Sequence, residues 1–411
     1  MPIPLLFQYK YLIMDKFFKK NVFLLIVIIT YHSYSNSFVQ IGLNIGKNNP
    51  AQIKTGADNF EKYLPILKNK KVGIVTNQTG ILTNQMHLVD FLIEKQIAVK
   101  TIFAPEHGFR GTADAGEHIS DAKDIKTGLS IISLYGDNKK PKPEQLNGIE
   151  VMVFDIQDVG ARFYTYISTL HYVMEACAEN NIPLIVLDRP NPNGACVDGP
   201  LLEKEYTSFV GMHPIPILHG MTIGEYAQMI NGENWLAKGA QCKLTVIPCI
   251  NYNHKMNYSL PVKPSPNLPN DQSINLYASL CLFEGTNVSV GRGTEKQFQI
   301  YGSPFLPKSK FFFTPRPNFG AKEPLYNGQL CYGVDLTNYK KLQRLELQWL
   351  ISAYKMTPNK TTFFNSFFTK LAGTKKLQQQ IERGTSENKI RKSWKKGLNE
   401  FKIIRAKYLL Y

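Results

Sequence analysis

The 411-residue chain lacks the motifs of several common site chemistries. No G-x-G-x-x-G and no P-loop follows the first apolar run, KVGIVTN at Lys71, so backbone amides have no glycine-rich cradle for a pyrophosphate. VGRGTEK, from Val290, lies far downstream without the full pattern, which argues against dinucleotide binding. H-E-x-x-H, C-x-x-C and G-x-S-x-G are also absent, which removes the usual signatures of zinc and serine hydrolases. The six cysteines, Cys177, Cys196, Cys242, Cys249, Cys281 and Cys331, show neither metal spacing nor a dense disulfide framework. Several sit in apolar contexts and read as buried small hydrophobes, and a Cys242–Cys249 pairing stays open. There is no internal repeat and no low-complexity tract.

Acidic residues are the minority, 32 against 48 Lys and Arg, for a net charge of +16. That balance favours anionic partners such as cell-wall polymer, a lipid surface or nucleic acid, although KNKK, DNKKPKPE and RKSWKK also read as solvated faces. No apolar run is long enough to span a bilayer. The nearest, Val22 to Thr30, follows Lys19 and Lys20 and precedes small polar residues, which is the order of a secretory signal peptide. Residues 1–36 are therefore expected to be a signal peptide, with Met14 as an alternative start, and the protein to be exported, periplasmic or secreted. No cysteine follows the apolar core, which argues against a lipid anchor.

From Lys70 onward, continuous apolar runs alternate with helical spacing. KVGIVTN, VKTIFAP, SIISLYG, EVMVFDIQ and PLIVLDRP read as strands, with helices in MHLVDFLIEK and from Thr165 to Glu179. Strands without polar alternation, separated by amphipathic helices, predict an α/β domain whose parallel sheet is covered on both faces, over residues 58–250. NYNHKMNYSLPVKPSPNLPN reads as an irregular connector. Residues 251–411 are expected to form a smaller α+β domain, with helices around Ser273–Phe283, in YKKLQRLELQWLISAYK and after Ser386.

Several of these strands end in polar residues. The tips deliver Thr76, Asn77 and Gln78; Glu106 and His107; Asp155, Gln157, Asp158 and Arg162; and Asp188, Arg189 and Asn191. In an open parallel sheet the ligand crevice lies beyond the carboxyl ends of the strands, so the tips should converge there. The chemistry on offer is that of carboxylates, as in glycoside hydrolysis. Glu106, between Pro105 and Gly108, is the acid candidate, since a tight loop can desolvate a carboxyl group. On the following helix Tyr164, Ser168, His171 and Glu175 share one arc, suited to a crevice wall or to local hydrogen bonds. Glu284, Asn287, Arg292 and Glu295 alternate with small residues in a loop able to approach a ligand.

APEHGFRG, DIQDVGARFYTY, LDRPNPNG, DGPLLE, ILHGMTIGE, PSPNLPN and EGTNVSVGRGTEKQF occur in the order that resembles the NamZ-type exo-β-N-acetylmuramidases, from about residue 58 to the C-terminal KYLLY. The resemblance implies a Rossmann-like catalytic domain, a smaller C-terminal domain completing the cleft, and removal of terminal N-acetylmuramic acid (MurNAc) from the non-reducing ends of peptidoglycan fragments. No cofactor, metal or nucleic-acid partner is implied, nor a membrane span after signal cleavage. The family's proposed catalytic Glu falls on Glu106, with His107 orienting it. Val290 stands where an acidic residue is expected in many relatives.

For the second catalytic group, Asp158, Glu117, Glu175, Glu284, Glu295 and the substrate's own N-acetyl group are alternatives. MurNAc carries a lactyl carboxylate, for which arginine is the suited partner. Arg110, Arg162, Arg189 and Arg292 are the candidates, with Arg162 and Arg292 preferred. Asn77, Asn191, His219 and Asn287 are further binding candidates, and Tyr164 and Tyr166 are candidates for stacking on a sugar face. A non-catalytic muropeptide-binding protein, and an esterase or lactyl-ether-cleaving enzyme, are the alternative functions.

Overall fold

A computed structural model describes residues 52–110 and 122–411, and Ile53–Tyr411 form one compact unit. The expected signal segment and Glu117 lie outside the described residues. Helix α1 (Phe60–Leu67) leads into strand β1 (Lys71–Thr76), α2 (Leu88–Glu94) and β2 (Ala98–Ala104). Then come β3 (Ala122–Lys123), β4 (Ser130–Ser133), α3 (Pro143–Leu146), β5 (Val151–Asp155), α4 (Tyr166–Glu179) and β6 (Leu184–Leu187). A two-stranded antiparallel pair, β7 (Asp198–Leu201) and β8 (Pro216–Leu218), precedes α5 (Ile223–Gly232) and β9 (Leu244–Ile247).

The main sheet runs β3-β4-β2-β1-β5-β6-β9, and only edge strand β3 is antiparallel to its neighbour. Counting its parallel strands alone, the order is 3-2-1-4-5-6, the Rossmann order, with the topological switch between β1 and β5. The two faces bury alternate residues. Val72, Ile74, Val151 and Val153 face one cluster with Leu88 and Leu92 of α2, and Val75, Met152 and Phe154 face the other with Leu170 and Met174 of α4. Strands buried on both faces explain the absence of polar alternation along them.

The C-terminal part begins with α6 (Asp271–Leu280) and contains a three-stranded antiparallel sheet, β10 (Ile300–Ser303), β11 (Phe312–Phe313) and β12 (Cys331–Asp335). Helices α7 (Gln348–Met356), α8 (Phe367–Ala372), α9 (Lys376–Glu382) and α10 (Glu387–Ala406) complete it. The helix expected over residues 339–355 forms only in its second half. Its first half gives backbone N–H groups to side chains instead, Leu342 to Asn275, Leu345 to Asp198 and Glu346 to Ser279, which holds Leu345 in the core as irregular chain. The final residue is anchored too, since the Tyr411 hydroxyl donates to Asp188 at 2.8 Å. All six cysteines are free and buried, so Cys242 and Cys249 do not pair.

Candidate active site

The strand tips do converge, but most of their polar groups bind one another. At the end of β1, Asn77 accepts from the Thr79 amide and hydroxyl (2.9 and 2.6 Å) and donates to the Tyr166 hydroxyl at 2.8 Å. At β5, Asp155 takes a two-point ion pair from Arg189 (2.6 and 2.9 Å), with both side chains buried. Asp188, at β6, accepts from Thr222 and the Gly224 amide at 2.7 Å each. Asn191 donates to the Met221 carbonyl at 2.8 Å and accepts from the Asn193 amide. These groups tie the loops together and leave no side for a sugar.

The tip of β2 differs. Pro105 to Gly108 form a turn closed by Gly108 N–H to the Pro105 carbonyl at 3.0 Å, with His107 at φ +73°. A left-handed conformation costs a residue with a Cβ roughly 1–2 kcal/mol, so the fold holds His107 against its local preference. The turn leaves Glu106 half-buried in the wall of a pocket. Glu106 Oε2 accepts from Thr165 Oγ1 at 3.2 Å. Its carboxylate also faces the Tyr135 phenol, whose pKa is raised first by burial and then by Glu106. Tyr166 is likewise raised by burial and then by Glu106, so both phenols stay protonated beside the acid.

Four stretches line the pocket: Glu106–His107, Phe163–Tyr166 at the start of α4, the connector residues Ser265, Asn267 and Leu268, and Tyr277, Arg292 and Phe298 from the C-terminal part. Tyr164 and Tyr166 are buried edge-to-face, and their hydroxyls donate to the Pro264 carbonyl (2.8 and 3.3 Å). They support the connector rather than present open faces to a sugar. Arg292 is held by Nε to Glu284 at 2.6 Å and lies over the Phe298 ring at 5.2 Å. Burial alone would lower its pKa, but Glu284 outweighs that and raises it. Among the described residues its terminal amino groups have no hydrogen-bond partner, and Arg292 belongs to the pocket lining. Gly293 makes the loop possible: at φ +79°, a Cβ there would lie 2.6 Å from the Arg316 carbonyl.

The remaining expected site residues lie elsewhere, each for a physical reason. Arg162, one of the preferred carboxylate partners, is fully buried and donates to the carbonyls of Pro200, Ile215 and Leu371 at 2.7–2.9 Å. It joins the β7–β8 pair to α8 and has no open face. Arg110 is at the surface, in a two-point pair with Asp124. Glu295 is exposed and outside the pocket lining, while Glu284 serves Arg292. The Asn287 backbone is tied to Phe363 and Tyr326, away from the lining. Along the α4 arc, Ser168 donates to the Phe209 carbonyl, His171 meets His213 at 3.0 Å, and Glu175 pairs with Lys140. Tyr135, Thr165, Ser265, Asn267, Tyr277 and Phe298 were not singled out from the sequence. PSPNLPN, which reads locally as a connector, was the available signal for two of them.

Asp158 and His219 form a buried pair, 3.7 Å apart, and neither belongs to the pocket lining. Asp158 accepts from the Gly160 amide at 2.6 Å, and burial raises its pKa to about 7. That lies above the unfolded value of ~3.9, so the folded state keeps a proton the unfolded chain has lost. The resulting stability is present below about pH 4 and disappears as pH rises through about 7. Asn mimics the protonated carboxyl and does not titrate. Asp158→Asn should therefore gain stability relative to the parent protein as pH rises from roughly 4 to 7, read from denaturant midpoints. His219, lowered by burial to about 3, titrates in the opposite sense in both proteins and cancels in the difference. A pH-independent difference would contradict the protonated Asp158.

Among the described residues no three His, Cys, Asp or Glu side chains gather as a metal site requires. Two family models match, the N-terminal part of exo-β-N-acetylmuramidase NamZ over residues 72–272 and its C-terminal part over residues 275–411. The chain is 42% identical over 383 residues to the peptidoglycan β-N-acetylmuramidase NamZ of Bacillus subtilis (strain 168), covering 88% of this chain and 92% of that protein. Two crystal structures of DUF1343 family proteins from Bacteroides fragilis NCTC 9343 are also similar. One has TM-score 0.82 and 46% identity over 88% of this chain and 99% of that one, and the other has TM-score 0.76 and 30% identity over 87% and 99%. The chain belongs to the NamZ exo-β-N-acetylmuramidase family.

Proposed function

We infer that this protein is an exo-acting β-N-acetylmuramidase, a glycoside hydrolase that releases terminal non-reducing MurNAc from peptidoglycan fragments, with Glu106 as general acid. One observation carries the residue assignment: Glu106 and Arg292 line the same pocket. An acid that protonates the leaving oxygen and a cation that holds a lactyl carboxylate are the two groups that separate MurNAc chemistry from that of a neutral sugar. Glu106 is the one carboxylate in the lining among the described residues. The basic, apolar and small polar order of the first residues supports export to the periplasm or beyond, which N-terminal sequencing of the mature protein would check.

The test compares chromogenic MurNAc and N-acetylglucosamine (GlcNAc) glycosides, which differ by the lactyl group. The parent protein should release free MurNAc and prefer that substrate. Arg292→Met should lower kcat/KM for MurNAc by roughly 10- to 100-fold and leave the slower GlcNAc reaction nearly unchanged, which is what losing a charge-assisted contact predicts. Release of lactate or acetate instead of MurNAc would overturn the hydrolase assignment. An equal loss on both glycosides would overturn the role of Arg292.

A further inference from the structure

Asn267 has a feature that the catalytic proposal does not use. Its side chain lines the pocket and is only 2% exposed, yet its Oδ1 atom is buried with no hydrogen-bond partner. The other end of the amide is engaged, with Nδ2 donating to the Gly320 carbonyl at 2.6 Å. A carbonyl only accepts, so the contact settles which end of the amide is the nitrogen and leaves Oδ1 as the acceptor without a donor. Gly320 is suited to this: at φ +98°, a Cβ there would approach Pro266 at 2.9 Å and the Asn267 amide at 3.2–3.3 Å. A fixed, buried and unsatisfied acceptor in a pocket wall calls for a donor from the ligand.

We propose that Asn267 Oδ1 accepts the N–H of the substrate's 2-acetamido group, and that Asn267 thereby selects N-acetylated sugars. The proposal rests on the muramidase reading of this pocket. MurNAc has one amide N–H, attached to the carbon next to the anomeric centre on which Glu106 acts. Asn267 and Glu106 line the same pocket, so the acceptor is available close to the scissile bond. The Arg292 guanidinium only donates, so it serves the lactyl carboxylate and cannot satisfy this N–H. Each polar group of the sugar thus has one complementary wall: acid at the leaving oxygen, cation at the lactyl carboxylate, neutral acceptor at the amide.

The test uses two chromogenic substrates, the MurNAc glycoside and its analogue with a 2-acetoxy group, in which oxygen replaces the amide nitrogen and removes the donor. The parent enzyme should prefer the amide, and Asn267→Ala should reduce that preference by about 10- to 100-fold, because a buried acceptor penalises a ligand that brings it no donor. A purely structural role would slow both substrates alike and leave the ratio unchanged, which would overturn the proposal. So would a change of preference seen with a 4-deoxy analogue and not with the 2-acetoxy one, since a hydroxyl would then be the donor. Should Asn267→Ala fail to fold, the parent enzyme still decides: equal turnover of the amide and the acetoxy analogue contradicts the contact. Failure to release any MurNAc from the natural glycoside would instead remove the muramidase reading itself.

Discussion

Glu106→Gln should fold as the parent protein does and hydrolyse a MurNAc glycoside about 10²- to 10⁴-fold more slowly, the range expected for losing a general acid. The amide retains an oxygen to accept from Thr165, so the turn from Pro105 to Gly108 keeps its shape and the unfolding midpoint should not move. What the variant lacks is a transferable proton. In the parent the carboxyl stands among neutral hydroxyls, Thr165 and the protonated Tyr135 and Tyr166, while Arg110 is engaged by Asp124. A chromogenic substrate with a very good leaving group needs little protonation, so the loss should shrink as the leaving group improves. Full turnover by a normally folded Glu106→Gln on a poor leaving group would remove Glu106 from the mechanism.

The second large effect is on stability. Asp155→Ala should cost about 3–5 kcal/mol, because it leaves the Arg189 guanidinium in a fully buried site without its carboxylate. Arg189 would keep one bond, to the Ile81 carbonyl at 3.0 Å, which does not replace a two-point ion pair. Removing both charges is different: Asp155→Leu with Arg189→Met should recover most of the loss, since two apolar side chains of similar size avoid the buried lone charge. Denaturant midpoints of Asp155→Leu, Arg189→Met and the double variant that combines them give the coupling directly. Additive losses would mean that the pair is not the unit of stability at this end of the sheet. The experiment also separates Arg189 from substrate recognition, because the double variant that folds should still distinguish MurNAc from GlcNAc through Arg292.

Much of the fold was legible because it rests on short-range rules. Strands such as VMVFD show no polar alternation because both faces of the sheet are covered, and helix α4 starts within one residue of the position its spacing predicted. The stretch from residue 339 to 347 misled for the opposite reason. Its apolar spacing is helical, but its backbone donors find Asn275, Asp198 and Ser279, which are distant in the chain. The site divides along the same line. Glu106 could be named because its surroundings are local, an acid between Pro105 and Gly108 at the end of an apolar run. Arg162 looked equally suited to a substrate carboxylate, and its partner Leu371, 209 residues away, gives it a structural task instead.

The sequence by itself determined the layered α/β architecture, the placement of polar residues at the strand ends and the family to which the chain belongs. These depend on periodicity, turn chemistry and ordered motifs, all of which are written along the chain. Only the tertiary structure decided which polar groups satisfy one another and which remain for a ligand. Asn77, Asp155 and Arg189 were taken up by neighbours across the switch point, while Glu106, Arg292 and Asn267 were brought from distant parts of the chain into the lining of one pocket, where the Asn267 oxygen has no donor. Whether a polar group serves the fold or lines a site depends on the groups brought beside it from distant parts of the chain, which no local pattern records.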